Sequence, residues 1–245
     1  MRIAVLSDIH ANLEALLAVL ERTRALKAEA IVCLGDIVGY NANPNECIDI
    51  LRAERAACVL GNHDARATGL EGPERFNPLA RAAVLWTREQ LTSESRQFLA
   101  GLPREERVRD FFLFHGFIHD TDRYLYSRDD AIENFRLLAG LSGGPQIGFF
   151  GHTHLVAALS EQRGIVSASL DREELDLVDD RRYLINPGSV GQPRDGDPRA
   201  SFLLYDDERR RVSFLRTAYD IGKCRYKIIS AGLPPQLADR LEWGR

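Results

Sequence analysis

A chain of 245 residues, 44% hydrophobic and 28% charged, has the balance of a globular protein with enough apolar material for one substantial core, which excludes disordered and fibrous classes. Its formal charge of −4 removes the basic surface by which proteins grip long nucleic acids, so a small substrate is expected and long nucleic acid is not. Four cysteines without C-x-x-C spacing are too sparse for a disulfide framework; with no signal-peptide core before Asp8 and no run of roughly twenty apolar residues, the expectation is a cytoplasmic protein without a membrane partner.

Five short apolar runs read as strands: Ile3 to Leu6, Ile31 to Leu34, Ala57 to Leu60, Phe111 to Phe114 and Ile147 to Phe150. Helical patterns alternate with them, which points to an α/β sheet. Leu13, Leu16, Leu17 and Leu20 recur at i, i+3, i+4 and i+7 behind Asn12, a residue suited to the N-cap. A second helix begins at Pro44, with Asn43 as cap and Glu46 placed for a capping box. Asn77-Pro78 opens a third, carrying Leu79, Ala82, Ala83 and Trp86, and Ser127 with Asp130 opens a fourth that ends near Gly140. From Leu155 to Ala218 shorter strand-like pieces predict antiparallel pairing, including Ser201 to Tyr205 and Val212 to Thr217 around an Asp206-Asp207-Glu208 turn. Pro234-Pro235 sets off a short C-terminal helix, and the whole of 1–245 reads as one domain.

Polar clusters begin where the five apolar runs stop: Asp8-Ile9-His10, Gly35-Asp36, Gly61-Asn62-His63-Asp64, His115-Gly116 and Gly151-His152-Thr153-His154. The carboxyl ends of strands are where sites assemble in open α/β sheets, so segments far apart in sequence can converge on one rim. Carboxylates, an amide oxygen and neutral imidazoles suit first-row divalent ions. Asp8/His10 and His152/His154 stand at i and i+2, one face of an extended segment. Each piece alone is ordinary turn chemistry. As a set they are not, since of the 6 histidines all but His119 fall in these clusters. Cys33 and Cys58 lie inside strands and read as packing residues.

The ordered set D-x-H, G-D, G-N-H-D, H-G, G-H-T-H resembles the calcineurin-like metallophosphoesterase superfamily, over residues 3 to about 205. That resemblance implies an αββα four-layer sandwich, two mixed sheets flanked by helices, with two divalent metals at the rim. One would be held by Asp8, His10 and His154, the other by Asn62, His115 and His152, with Asp36 bridging. It further implies His63 as catalytic acid with Asp64 as its acidic partner. The stretch Ile185-Asn186-Pro187-Gly188-Ser189-Val190 ending in Pro193-Arg194, and Gly35-Asp36-Ile37-Val38-Gly39-Tyr40, resemble the compact bacterial and archaeal phosphodiesterase branch. Gly39-Tyr40-Asn41 and Asp64 stand where Ser/Thr protein phosphatases of the superfamily carry Asp-Arg-Gly and Glu, which argues against protein phosphatase activity.

The function expected is hydrolysis of small phosphodiesters or phosphomonoesters by metal-activated water, with Mn, Fe, Co, Ni or Zn as the metals and Mn the foremost in assays. Arg194 is expected to contact the substrate phosphate. Selectivity is assigned to the loops 64–77 and 116–128. Two alternatives differ in class: a non-catalytic scaffold of the same fold, as in the retromer subunit of that superfamily, and a nuclease. The intact ligand set argues against the first and the acidic charge against the second.

Overall fold

The computed structural model describes residues 1–169 and 173–245. In chain order the elements are β1 (Arg2–Leu6), α1 (Leu13–Ala25), β2 (Ala30–Cys33), α2 (Pro44–Ala53), β3 (Ala57–Cys58), α3 (Asn62–Thr68), α4 (Pro78–Gln90) and α5 (Ser93–Ala100). There follow β4 (Glu105–Val108), β5 (Phe111–Phe114), α6 (Arg128–Gly140), β6 (Ile147–Phe149), β7 (Val156–Gln162), β8 (Ile165–Ala168) and β9 (Glu174–Asp176). The chain closes with β10 (Arg182–Pro187), β11 (Ala200–Asp206), β12 (Arg211–Thr217), α7 (Ile221–Ser230) and α8 (Pro235–Trp243). Among the described residues no helix is long and apolar enough to cross a membrane.

The strands form two sheets of six, ordered β3-β2-β1-β11-β12-β9 and β4-β5-β6-β10-β7-β8. Both are mixed: β1, β2 and β3 run parallel in the first and β5, β6 and β10 in the second, while the remaining pairs are antiparallel. Alternation along each strand divides the core into layers. Ile3, Val5, Phe111, Leu113, Ile147, Phe149, Ile185, Leu203 and Tyr205 fill the space between the sheets. Ala4, Leu6 and Phe202 face the other way, onto Leu16, Leu20, Ile48, Leu51 and Val84 of α1, α2 and α4. Phe112, Phe114 and Leu184 pack outward on Phe135 and Leu138 of α6. This is the α/β sandwich, helix on sheet on sheet on helix, that the motif set implied.

Three of the four predicted N-caps form as expected. Asn12 accepts from the Ala15 amide at 3.1 Å and Asn77 from Ala80 at 3.0 Å. Ser127 and Asp130 make a full capping box, each side chain taking the other's backbone N–H at 3.0 Å. The fourth differs. Helix α2 begins at Pro44, but Asn43 Oδ1 accepts from Lys227 Nζ at 2.8 Å, and Glu46 Oε1 takes the Asn43 amide at 2.8 Å in place of the backbone. A lysine from α7 outcompetes the local cap. The apolar run at 57–60 pairs only at 57–58, and the stretch 64–77, read as a loop, contains most of α3.

The Asp130 carboxyl is held down to about 2 by its hydrogen bond from Ser127 and its bonds from Arg123. A depressed carboxyl stabilises the fold above its ordinary range, and that contribution is lost as pH falls through the folded value. Asp130→Ala is therefore expected to lower stability by ~1 kcal/mol at neutral pH. Denaturant melts of both proteins should show the difference closing between pH 4 and pH 2.

Candidate metal centre

The parallel strands of the two sheets end at one rim, and each contributes a loop to it. From the first sheet come Asp8 and His10 after β1, Asp36 after β2 and Asn62-His63 after β3; from the second come His115 after β5 and His152/His154 after β6. All of these side chains are buried. The two sheets meet across the rim, His115 Nε2 lying 3.3 Å from Asp36 Oδ2 and His154 Nε2 3.3 Å from Asp8 Oδ1. Donor atoms lie within 4.8 Å of one another in three groups, Asp8/His10/His154, His10/Asp36/His63 and Asp36/His115/His152.

Turning these side chains inward bends the backbone into a sparsely populated region. Asp8, His10, Asp36, His152 and His154 all have positive φ, between 49° and 65°, although none is glycine. Such conformations persist only where surrounding structure over-determines them, and they gather at functional sites. Here the constraint is a set of hydrogen bonds to the loops: Asp8 N to Gly35 O at 3.1 Å, His10 N to Asp36 O at 2.9 Å, and the Asn41 amide to His10 O at 2.7 Å. The stretch Asn186 to Gln192 secures the other side. Asn186 Nδ2 donates to Gly151 O at 2.8 Å, Ser189 Oγ to Asp8 O at 2.8 Å, and Gln192 O takes the His154 ring at 2.5 Å.

Backbone carbonyls also fix which ring nitrogen faces inward. A carbonyl accepts only, so the ring nitrogen beside it carries the proton. Val38 O, Leu34 O and Gln192 O stand at 3.0, 2.7 and 2.5 Å from the Nδ1 atoms of His10, His115 and His154. Their Nε2 atoms therefore point into the centre. His152 is reversed, its Nε2 lying 3.1 Å from Asp122 O, so its Nδ1 points in. The carboxylates are aimed in the same way. Asp8 Oδ2 takes Ser7 Oγ at 2.7 Å and His152 N at 3.0 Å, and Asp36 Oδ1 takes His63 N at 2.8 Å.

What remains is electron-rich and unsatisfied. Asp8 Oδ1, Asn62 Oδ1 and His115 Nε2 are buried without a hydrogen-bond partner. His10 Nε2 and His154 Nε2 lie 3.1 Å apart. Burial holds both of those imidazoles below their ordinary pKa, so no proton relieves the contact. Burial alone would raise Asp8 and Asp36, yet the neighbouring histidines outweigh it and keep both ionised. Burial also opposes charge on His115, but Asp36 and Asp8 prevail and lift it to about 9. A cation would satisfy this arrangement, and O and N donors without thiolate suit a divalent transition ion.

Above the centre opens a cleft of about 270 Å³ with Asp36, Asn62, His63, His152 and His154 in its floor and Tyr40, Phe76, Tyr124 and Arg194 in its walls. The His63 ring sits 4.5 Å from Tyr40 and 4.4 Å from Phe76, centroid to centroid, with a buried Nδ1 that has no partner. Burial pulls it down to about 4 despite Asp36. The pairing of Asp64 with His63 implied by the motif is not what the structure contains. Both Asp64 oxygens accept backbone amides, Val38 N at 3.0 Å and Gly61 N at 3.1 Å, so Asp64 ties two loops together; burial and Asp36 lift its carboxyl to about 7. Arg194 leans over Tyr40 at 5.9 Å, and its Nη2 donates to Gln192 Oε1 at 3.3 Å. His119 pairs with Glu105 at 3.0 Å, on the surface.

Residues 1–210 match the family model of the calcineurin-like phosphoesterase superfamily domain. The chain belongs to that superfamily. It is a metal-dependent phosphoesterase, a hydrolase acting on phosphoester bonds. It is 39% identical over 247 residues to an uncharacterized protein of Methanocaldococcus jannaschii, a match covering 99% of this chain and 98% of that one. It is similar in structure to a metallophosphoesterase from Sphaerobacter thermophilus, with 39% identity, a TM-score of 0.86, and 100% and 99% of the two chains covered. A hypothetical protein of Pyrococcus horikoshii shares the fold, with 21% identity, a TM-score of 0.82, and 100% and 98% covered.

Phe76, Asp122 and Tyr124 lie in the loops 64–77 and 116–128 to which selectivity was assigned, but sequence reasoning did not single them out, because residues within long loops show no periodicity. Gly35 illustrates how tightly the ligand loops are stacked. Its φ is +90°, and a Cβ there would stand 2.6 Å from Gly61 N and 3.0 Å from His115 Nδ1. Gly35→Ala should cost about 1–3 kcal/mol through backbone strain. Its denaturant midpoint should fall accordingly; an unchanged midpoint would contradict the packing described.

Proposed function

We propose that this superfamily member holds two divalent ions and hydrolyses small phosphodiesters or phosphomonoesters, with Asp36 shared between the metals. Asp8, His10 and His154 would hold one ion, and Asn62, His115 and His152 the other. The observation that carries this reading is the convergence of buried, unprotonated lone pairs, above all the 3.1 Å approach of the His10 and His154 Nε2 atoms. When bound, the ions acidify water and neutralise phosphoryl oxygens. Two divalent charges against the two carboxylates leave the centre positive, which attracts an anionic ester.

The remaining chemistry falls to the walls of the cleft. His63, in the floor beside Asp36, is placed to hand a proton to the departing oxygen. A phosphate dianion entering the cleft would raise its affinity for that proton. Arg194, aimed into the cleft across Tyr40, would pair with a phosphate oxygen. Asp64 takes no part in proton transfer in this reading. The cleft's volume of about 270 Å³ favours compact esters. Manganese is the metal proposed for assays, with iron, cobalt, nickel and zinc sharing the same donor preference.

Metal removal by chelation should abolish phosphoesterase activity, and Mn²⁺ or a similar ion should restore it; activity that survives verified removal would refute the reading. His63 offers a finer test, because its ring also lies among donors that could hold a metal. His63→Ala should retain both ions and lose roughly 10²–10⁴-fold in turnover of alkyl or nucleoside esters. The loss should be small for a nitrophenyl ester, whose oxygen leaves without a proton. Loss of an ion would make His63 a ligand, and equal defects on both esters would deny it the acid's role.

A further inference from the structure

Asp122 lies on the long connection between β5 and α6 and touches two of the candidate ligands at once. Its Oδ1 accepts from Asn62 Nδ2 at 3.0 Å. That bond fixes the flip of the Asn62 amide, since only the NH₂ can donate to a carboxylate. The Asn62 oxygen is thereby turned the other way, into the centre, where it is buried without a partner. The backbone carbonyl of the same Asp122 faces His152 Nε2 at 3.1 Å and so presents His152 Nδ1 to Asp36 and His115. Tyr124, two residues on, lies flat against the His152 ring at 4.0 Å and 20°.

Asp122 is itself anchored. Its second oxygen takes Arg66 Nη2 at 2.7 Å, and Arg66, whose side chain is only 2% exposed, also donates from Nη1 to Asn62 O at 3.1 Å. The guanidinium rests on the Phe76 ring at 4.4 Å. Arg66 lies one helical turn beyond Asn62 on α3, so the anchor and the ligand it serves share one rigid element. Both Asp122 oxygens are occupied in this way, which leaves the carboxylate a holder of ligands and not a ligand.

On the reading of the centre as dinuclear, we infer that Asp122, held by Arg66, is a positioning residue for the Asn62/His115/His152 half and sets that half's affinity for metal. The Asp8/His10/His154 half has no contact with the Asp122 side chain, and its rings are oriented by Val38 and Gln192. Partners of this kind alter metal affinity by roughly 10–100-fold when removed.

The test is a titration of metal-free protein with Mn²⁺, with free Mn²⁺ read by its paramagnetic resonance signal, for wild type, Asp122→Ala, Asp122→Asn and Arg123→Ala. Wild type should bind two ions. Asp122→Ala should bind one ion with wild-type affinity and the other roughly 10–100-fold more weakly. Asp122→Asn should recover only part of the loss, since its single amide oxygen can accept from Asn62 or from Arg66 but not from both. Arg123→Ala is the control for loop shape: it removes bonds to Asp130 and Glu133 at 2.8 and 2.7 Å and a stack on Phe117 at 3.7 Å. It should bind both ions as wild type does. Unchanged affinities in Asp122→Ala, equal weakening of both ions, or an equal defect in Arg123→Ala would overturn the inference while leaving the dinuclear reading intact. Wild type that binds fewer than two ions would overturn that reading, and this inference with it.

Discussion

The structure is organised around an electrostatic debt at one rim: two carboxylates and the free lone pairs of three neutral imidazoles are held together in a buried place, with His115 the one ring the carboxylates keep charged. Elsewhere in a protein interior such a grouping would be expelled or would neutralise itself, because an uncompensated buried polar group costs several kcal/mol. Here the histidine rings are fixed by carbonyls and the Asp8 and Asp36 oxygens by hydroxyl and amide donors, so the donors cannot turn away. The sandwich serves this arrangement. Two sheets, each with parallel strands ending at the same edge, are a compact way to bring loops from residues 8 to 154 within bonding distance of each other.

The strand-end motifs were legible in the sequence because they follow fully apolar runs, which leave little doubt where a strand stops. Helices α1, α4 and α6 were legible because their cap signals are satisfied locally. What was not legible depended on distant partners. The Asn43 cap is lost to Lys227, almost the whole chain away. Helix α3 has no apolar stripe; its start is fixed by Asp64 reaching back to Gly61, and the resemblance had implied for Asp64 a partnership with His63. Strand β4, Glu105–Val108, is an edge strand of mostly charged residues that pairs only because β5 lies beside it.

At the site the same division holds. Ligand identity resides in residue type and spacing, and so could be read directly. Ligand orientation resides in carbonyls and in side chains such as Asp122 and Ser189, which carry no signature beyond being polar residues in loops. The stretch from Asn186 to Gln192, noticed for its resemblance to the compact phosphodiesterase branch, proves to be a brace: it bonds to loops after both β1 and β6 and to the ring of His154.

That brace has a consequence for the order of events in the cell. Strand β1 takes β11 as its antiparallel neighbour, Ile3 opposite Tyr205, so the earlier strand waits for one made much later. Contacts this distant close slowly, because the intervening chain must be ordered before they are rewarded. Until the chain has been made as far as Gln192, the Asp8 carbonyl lacks the Ser189 hydroxyl and the His154 ring lacks the Gln192 carbonyl. The donor set is thus fully oriented only once segments nearly two hundred residues apart have met.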